Sequence, residues 1–158
     1  MTAPTFTMPL ATPVGRLVLE SDGEVLIGIW LPGESSVPRS AGHDAPPVLK
    51  DTSTQLEEYF AGERTEFDVP MELDGTAFQK EVWAELSRIP YGETISYGVL
   101  ARRVGRPKGP RAVGQANGKN PIPIIVPCHR VLASNGIGGY GGGLPMKRAL
   151  LAVEGVRA

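Results

Sequence analysis

Cys128 is the single cysteine of the chain, and His129 and Arg130 follow it directly in the string Pro127-Cys128-His129-Arg130-Val131. A thiolate is soft and polarizable, well suited to attack an alkyl carbon. A free thiol, with a pKa of ~8.5, is mostly protonated near neutral pH. An imidazole, a basic side chain or a helix N-terminus beside it would lower that value or supply a base. Sequence neighbours need not face each other, so any contact between Cys128 and His129 runs through a turn or a water. The bland reading stands beside this one: a lone cysteine is commonly a small buried hydrophobe, and a lone histidine a structural one. One cysteine excludes an internal disulfide and any Cys-rich zinc site. With only two histidines, a closed structural zinc site would need carboxylates. No metal and no cofactor are expected.

The elements that must position this pair divide the chain in two. The expected fold class is α+β, with an N-terminal sheet-plus-helix lobe over residues 1–74 and a C-terminal helical lobe over 75–158. In the first, Arg16–Glu20 and Val25–Trp30 read as strands joined by the turn Ser21-Asp22-Gly23-Glu24. The Pro- and Ser-rich residues 32–47 read as a surface loop. A helix is expected from Thr52 to Ala61, stopped by Gly62. Thr65–Leu73 alternates apolar and acidic residues and predicts a strand. In the second lobe, Thr76 and Gln79 have capping-box spacing ahead of a helix that must end near Pro90. Ser96 can cap a helix through Val104, with Gly105 as its stop. Pro107-Lys108-Gly109-Pro110 forms a turn, and a short helix spans Arg111–Asn117, ending at Gly118. Two short helices around such a turn resemble a helix-turn-helix. Ile122–Val126 reads as an apolar extended run leading into Cys128.

The net charge of −1 conceals an asymmetry. Residues 1–75 carry four basic and 13 acidic side chains, a net of −9, and residues 76–158 carry 12 basic and 4 acidic, a net of +8. The second half could face a polyanion such as DNA, where Lys and Arg gain from counterion release. The two lobes could equally attract each other. The small residues of Arg111–Gly118 suit either close approach to a narrow DNA groove or tight internal packing. Apolar content is 41%, usual for a globular protein. No apolar run is long enough to cross a bilayer, and the N-terminus lacks a signal-peptide pattern. A cytoplasmic protein with no membrane partner is expected.

The Cys128 string is similar to the active-site motif of the O6-alkylguanine-DNA alkyltransferase family. The similarity continues through Gly75–Gln79, Val82-Trp83, Ile89–Tyr97, Arg111–Gly114, Asn120-Pro121, Gly138–Tyr140 and Lys147–Gly155, in the family's order and spacing. It is close over residues 75–155 and loose over 1–74. It implies a ribonuclease H-like first lobe and a DNA repair activity: irreversible transfer of an alkyl group from O6-alkylguanine, with O4-alkylthymine as a further candidate substrate, to Cys128. Under the resemblance, His129 is the base toward Cys128 through a bridging water. Glu154 holds His129 in its working tautomer, and Tyr97 offers its proton to N3 of guanine. Asn120 ties the helix-turn-helix to the active-site strand. Arg111 enters the base stack, with Ala112 and Gly114 on the same helix against the minor groove. The main chain near Val131 and Tyr140 reads the guanine edge. Gly141 departs from members that carry Ser after the pocket Tyr, leaving backbone contacts only. The implied partner is double-stranded DNA carrying O6-alkylguanine, and the protein is expected to be a monomer.

Three other readings remain at this point. A non-catalytic lesion-binding relative of the same fold would lack the reactive cysteine. A cysteine hydrolase would bring its histidine from far away in sequence and need an oxyanion hole. A helix-turn-helix regulator would need a more polar recognition helix and usually a dimer.

Overall fold

A computed structural model describes residues 4–42, 44–106 and 109–157. The chain separates into two units, Met1–Leu73 and Asp74–Ala158. The expected turn at Pro107-Lys108 lies outside the described residues.

The first unit is an antiparallel sheet in the order β1 (Phe6–Thr12), β2 (Gly15–Ser21), β3 (Leu26–Trp30), covered by α1 (Pro47–Phe60). β2 and β3 realise the expected hairpin. Asp22 closes its turn by accepting from the N–H groups of Glu24 and Val25, each at 2.9 Å, and Gly23 takes a φ of +110°. These backbone bonds hold the Asp22 carboxyl below its ordinary pKa. β1 was not foreseen, because Pro9 lies in its middle. The structure tolerates Pro9 because β1 is an edge strand, where a missing N–H is harmless. α1 begins at Pro47, five residues before the expected start, with the proline in the first turn where no N–H is needed. Leu49, Leu56 and Tyr59 of α1 are fully buried beside Leu17 and Leu19 of the sheet.

The predicted strand Thr65–Leu73 does not form. Its alternation is real: Phe67, Val69, Met71 and Leu73 are half-buried, and Glu66, Asp68 and Glu72 are exposed. Pairing is confined to one parallel bridge, Leu26↔Met71. Pro70 can accept from Leu26 N–H (2.9 Å) but cannot donate, and upstream the Asp68 backbone bonds the Gln55 side chain instead of a strand.

The second unit holds α2 (Ala77–Leu86), α3 (Tyr97–Arg103), α4 (Pro110–Gly118) and α5 (Leu144–Val153), with two short strands, β4 (Ile95–Ser96) and β5 (Val131–Leu132). Both expected caps are present. Thr76 and Gln79 exchange the two bonds of a capping box, and Ser96 Oγ accepts from Val99 N at 3.1 Å. α2 packs on α4, and the Trp83 indole donates to Ala116 O at 2.9 Å. α3 and α4 pack together as the helix pair of the expected helix-turn-helix. Among the described residues no helix is long and apolar enough to cross a membrane.

Candidate active site

Every residue from Ile122 to Arg130 is buried. The expected extended run through Ile122–Val126 is instead a folded loop. Pro121 and Pro123 supply no N–H for a ladder, and the chain turns back so that Val126 N donates to Ile122 O at 3.0 Å. Ile124 takes a φ of +75°, a strained value for a β-branched residue. Asn120 holds this loop: its Nδ2 donates to Val126 O at 2.7 Å and its Oδ1 accepts from Ile122 N at 2.9 Å. The chain then enters a single 3-10 turn, Cys128–Arg130, closed by Arg130 N donating to Pro127 O at 3.0 Å. β5 follows at once and pairs in parallel with β4, in the register Ile95↔Val131 and Ser96↔Leu132. Because β4 leads directly into α3, this pairing places Tyr97, the first residue of α3, close enough to feel the charge of Cys128.

His129 is fully buried and points to Glu154, which lies at the C-terminal end of α5. His129 Nε2 stands 2.7 Å from Glu154 Oε2. The same carboxylate accepts from Arg130 Nε (2.8 Å) and Nη2 (3.1 Å) and from Gly92 N (3.2 Å). Arg130 Nη1 donates to Ile89 O at 2.6 Å. With three N–H groups from Arg130 and Gly92 already aimed at it, the carboxylate is an ionised acceptor, which assigns the ring proton of neutral His129 to Nε2. Nδ1 then carries the lone pair, and it is buried with no protein hydrogen-bond partner among the described residues. Burial pulls His129 below the ordinary imidazole pKa. Glu154 opposes this, while the charges of Arg130 and Lys147 add to it.

Cys128 is 6% exposed. Burial pushes its thiol above the ordinary value; Asn120, the charge of Lys147 and the Tyr140 phenol each pull it back toward the thiolate. Lys147, fully buried on α5, donates to Val131 O at 2.7 Å and Gly139 O at 3.0 Å. Asn117 Nδ2 lies 3.4 Å from Cys128 O. Tyr97 is held above its ordinary pKa by burial and by the Cys128 charge, against a hydrogen bond from Asn117, so it keeps its proton. Gly138 takes a φ of +77°, and a Cβ there would come 3.2 Å from Tyr97 Cε2 and 3.1 Å from Ala133 N.

Cys128, His129, Glu154, Tyr97, Asn120, Val131 and Tyr140 thus gather around one sulfur and one carboxylate. Tyr140 approaches the sulfur with its phenol, where only its main chain was expected to matter. Arg111 and Ala112 are exposed at the start of α4, and Gly114 faces the Tyr97 ring. Gly141 is exposed, with open space where a side chain would sit. Two participants, Lys147 and Asn117, had no role in the sequence reading, and Arg130 was read only as a basic neighbour of the thiol, not as a partner of Glu154. The Arg and Lys entered the net charge of residues 76–158, and nothing in their spacing signals burial. Among the described residues no group of three His, Cys, Asp or Glu side chains could hold a metal ion.

A packed helix pair, together with a buried thiol followed by a histidine bonded to a carboxylate, marks a helix-turn-helix protein with a candidate cysteine nucleophile. The family described as 6-O-methylguanine DNA methyltransferase, DNA binding domain, matches residues 77–156, and its ribonuclease-like domain matches residues 7–73. A methylated-DNA–protein-cysteine methyltransferase of Mycobacterium tuberculosis is 50% identical over 149 residues, covering 93% of this chain and 90% of the other. One from Methanosarcina acetivorans is 46% identical over 147 residues, covering 91% and 94%. The crystal structure of Mycobacterium tuberculosis OGT in complex with DNA superposes with a TM-score of 0.84 at 48% identity, covering 95% of this chain and 91% of that one. The chain belongs to the 6-O-methylguanine DNA methyltransferase family.

Proposed function

We propose that this protein repairs DNA by transferring an alkyl group from O6-alkylguanine to Cys128, once per molecule. The observation that carries the reading is the buried His129, next to Cys128 in the chain, with its Nε2 2.7 Å from Glu154 Oε2 and its Nδ1 without a hydrogen-bond partner among the described residues. It is the nucleophile–base–orienter arrangement of hydrolytic triads, used for displacement at carbon. The Cys128 proton passes to His129 Nδ1 through a water, and Glu154 stabilises the imidazolium. The sulfur then attacks the alkyl carbon; an S–C bond forms and the C–O6 bond breaks, its electron pair going to the purine. Tyr97 gives its proton to N3, so guanine leaves neutral, and the proton held by His129 restores the phenol. The thioether is inert and no group among the described residues is placed to cleave it, so the reaction does not turn over.

The target carbon lies inside a stacked duplex, so the nucleotide must rotate out, at a cost of a few kcal/mol. Exposed Arg111 fills the gap left in the stack, and the small residues Ala112 and Gly114 let α4 lie against the minor groove. Asn120 fixes the loop between α4 and the nucleophile, the main chain at Val131 and Tyr140 reads the guanine edge, and Gly141 leaves room beside it. One copy carries every group invoked, so the protein acts as a monomer. A free thiol nucleophile needs a reducing compartment, which suits the cytoplasm.

Incubation with a duplex carrying one O6-methylguanine tests this. The peptide containing Cys128 should gain one methyl group by mass spectrometry, and Cys128→Ala should bind the duplex and gain none. Methylation elsewhere in the chain, or none in the wild type, refutes the reading.

A further inference from the structure

Asn117 has no part in the mechanism above, yet it is 5% exposed and its amide lies between α4 and the reacting groups. α4 presents it there in a fixed way. The Trp83 indole bonds the carbonyl of the preceding residue, Ala116, and holds this turn of α4 on α2. Gly114, one turn earlier on the same face, lies against the Tyr97 ring, where a Cβ would stand 3.8 Å from both Cδ1 and Cε1. Asn117 Nδ2 lies 3.4 Å from Cys128 O. A carbonyl only accepts, so the end of the amide that faces it is the NH2 group. That carbonyl already accepts from Val131 N and has no need of a second donor. Asn117 Oδ1 is buried with no hydrogen-bond partner among the described residues. Burying an amide oxygen unsatisfied is costly, and a long bond to a carbonyl with another donor does not offset it. The NH2 group has a second proton, and the Tyr97 phenol is the acceptor in its reach. A hydrogen bond from Asn117 draws that phenol toward a lower pKa, against burial and the Cys128 charge.

We propose that Asn117 is a positioning residue for proton donation: with one N–H on the Cys128 carbonyl it gives the other to the Tyr97 oxygen, which turns the phenol proton away from α4 and toward the extruded base. This rests on the alkyl-transfer reading for its purpose, in which Tyr97 protonates guanine N3, though not for its test. A phenol that accepts from an amide also releases its proton more readily, because the forming phenolate keeps the bond. Among the described residues, the titratable groups facing Tyr97 are Cys128 from the 3-10 turn and Lys147 from α5, whose Nζ lies 6.0 Å from the ring centroid. Gly114 and Asn117 face it from α4 and carry no charge. Asn117 shares α4 with exposed Arg111, so the helix that meets DNA also aims the acid that completes the transfer.

Carbon-detected NMR of ring-labelled tyrosine reads the Tyr97 titration without DNA. The full chain carries Cys128→Ser for this measurement, so that the charge of the sulfur does not enter. Asn117→Leu, which fills a similar volume without an amide, should move the Tyr97 titration to higher pH. An unmoved titration in a folded Asn117→Leu protein overturns the proposal, since an amide that only packs predicts that result. With Cys128 intact, Asn117→Leu should slow single-turnover transfer from an O6-methylguanine duplex by about tenfold, a fraction of the ~10²–10⁴ that a positioned proton donor contributes. Capture of Cys128 by iodoacetamide, which needs no proton donor, should stay within about twofold of the wild-type rate. Equal losses in transfer and capture place the effect at the sulfur and overturn the proposal. If the Leu variant does not fold, NMR of the wild type and Tyr97→Phe decides. Loss of the phenol oxygen should move the Asn117 side-chain amide protons upfield, and unmoved resonances overturn the proposal. A wild type that captures iodoacetamide but transfers nothing counts against the alkyl-transfer reading, and the Tyr97 titration still judges Asn117.

Discussion

Glu154 serves two partners with different needs. Arg130 requires a counter-charge because it is buried, and His129 requires an acceptor that fixes its proton on Nε2. Glu154→Ala removes both at once and leaves a buried guanidinium unpaired, a change that typically costs about 3–5 kcal/mol. Urea unfolding should show a loss of that order. Glu154→Gln should keep more of the stability while losing most of the transfer rate, because an amide cannot stabilise the imidazolium as an anion does. Under the proposed mechanism, His129 sets the acid limb of activity. Only its neutral form accepts the thiol proton, and burial holds its pKa below the ordinary ~6.5. The single-turnover rate should therefore persist down through about pH 6.5 and fall only at lower pH. The same depression links to stability: the histidine's contribution is complete above the unfolded-state value of ~6.5 and is lost as pH falls through the folded value. A rate that already halves above about pH 7 would count against a neutral buried base.

The second unit brings its chemistry together through very short pieces of structure. One 3-10 turn and two strands of two residues each set the nucleophile beside Tyr97. Gly138 shows how little slack remains, since its positive φ and its contact with the Tyr97 ring both exclude a side chain. Gly138→Ala should slow transfer from a methylated duplex by at least about tenfold, the equivalent of ~1.4 kcal/mol in the barrier. The fluorescence-monitored unfolding midpoint should move less, because the loop lies at the surface. The sequence made some of these pieces plain and hid others. Caps were legible because Thr76, Gln79 and Ser96 act on their own neighbours. The Cys128–His129 pair and Glu154 were legible through their resemblance to a known pattern. β1 was hidden by Pro9, harmless only because its strand lies at an edge. Phe67–Leu73 alternated like a strand but found one bridge, since pairing depends on a partner that periodicity cannot reveal. The Ile122–Val126 loop was hidden because apolar runs record burial and say nothing of direction.

Charge tells a related story for the chain taken together. The second half carries a net of +8, yet among its described basic side chains Arg130 and Lys147 are buried at the site. The surface charge available to DNA is therefore carried by others, among them exposed Arg102, Arg103, Arg106 and Arg111. Arg111→Ala should weaken transfer from duplex DNA far more than transfer from the free O6-alkylated base, because only the duplex needs its gap filled. Equal losses on the two substrates would remove Arg111 from base extrusion. The account depends most on a nucleophile that is consumed. A fixed, limiting amount of protein should be mixed with an excess of O6-methylguanine duplex and the repaired guanine counted over time. The count should rise and stop at one guanine per protein molecule, with Cys128 fully methylated at the plateau. Continued repair beyond that plateau, with Cys128 recovered as free thiol, would contradict the account.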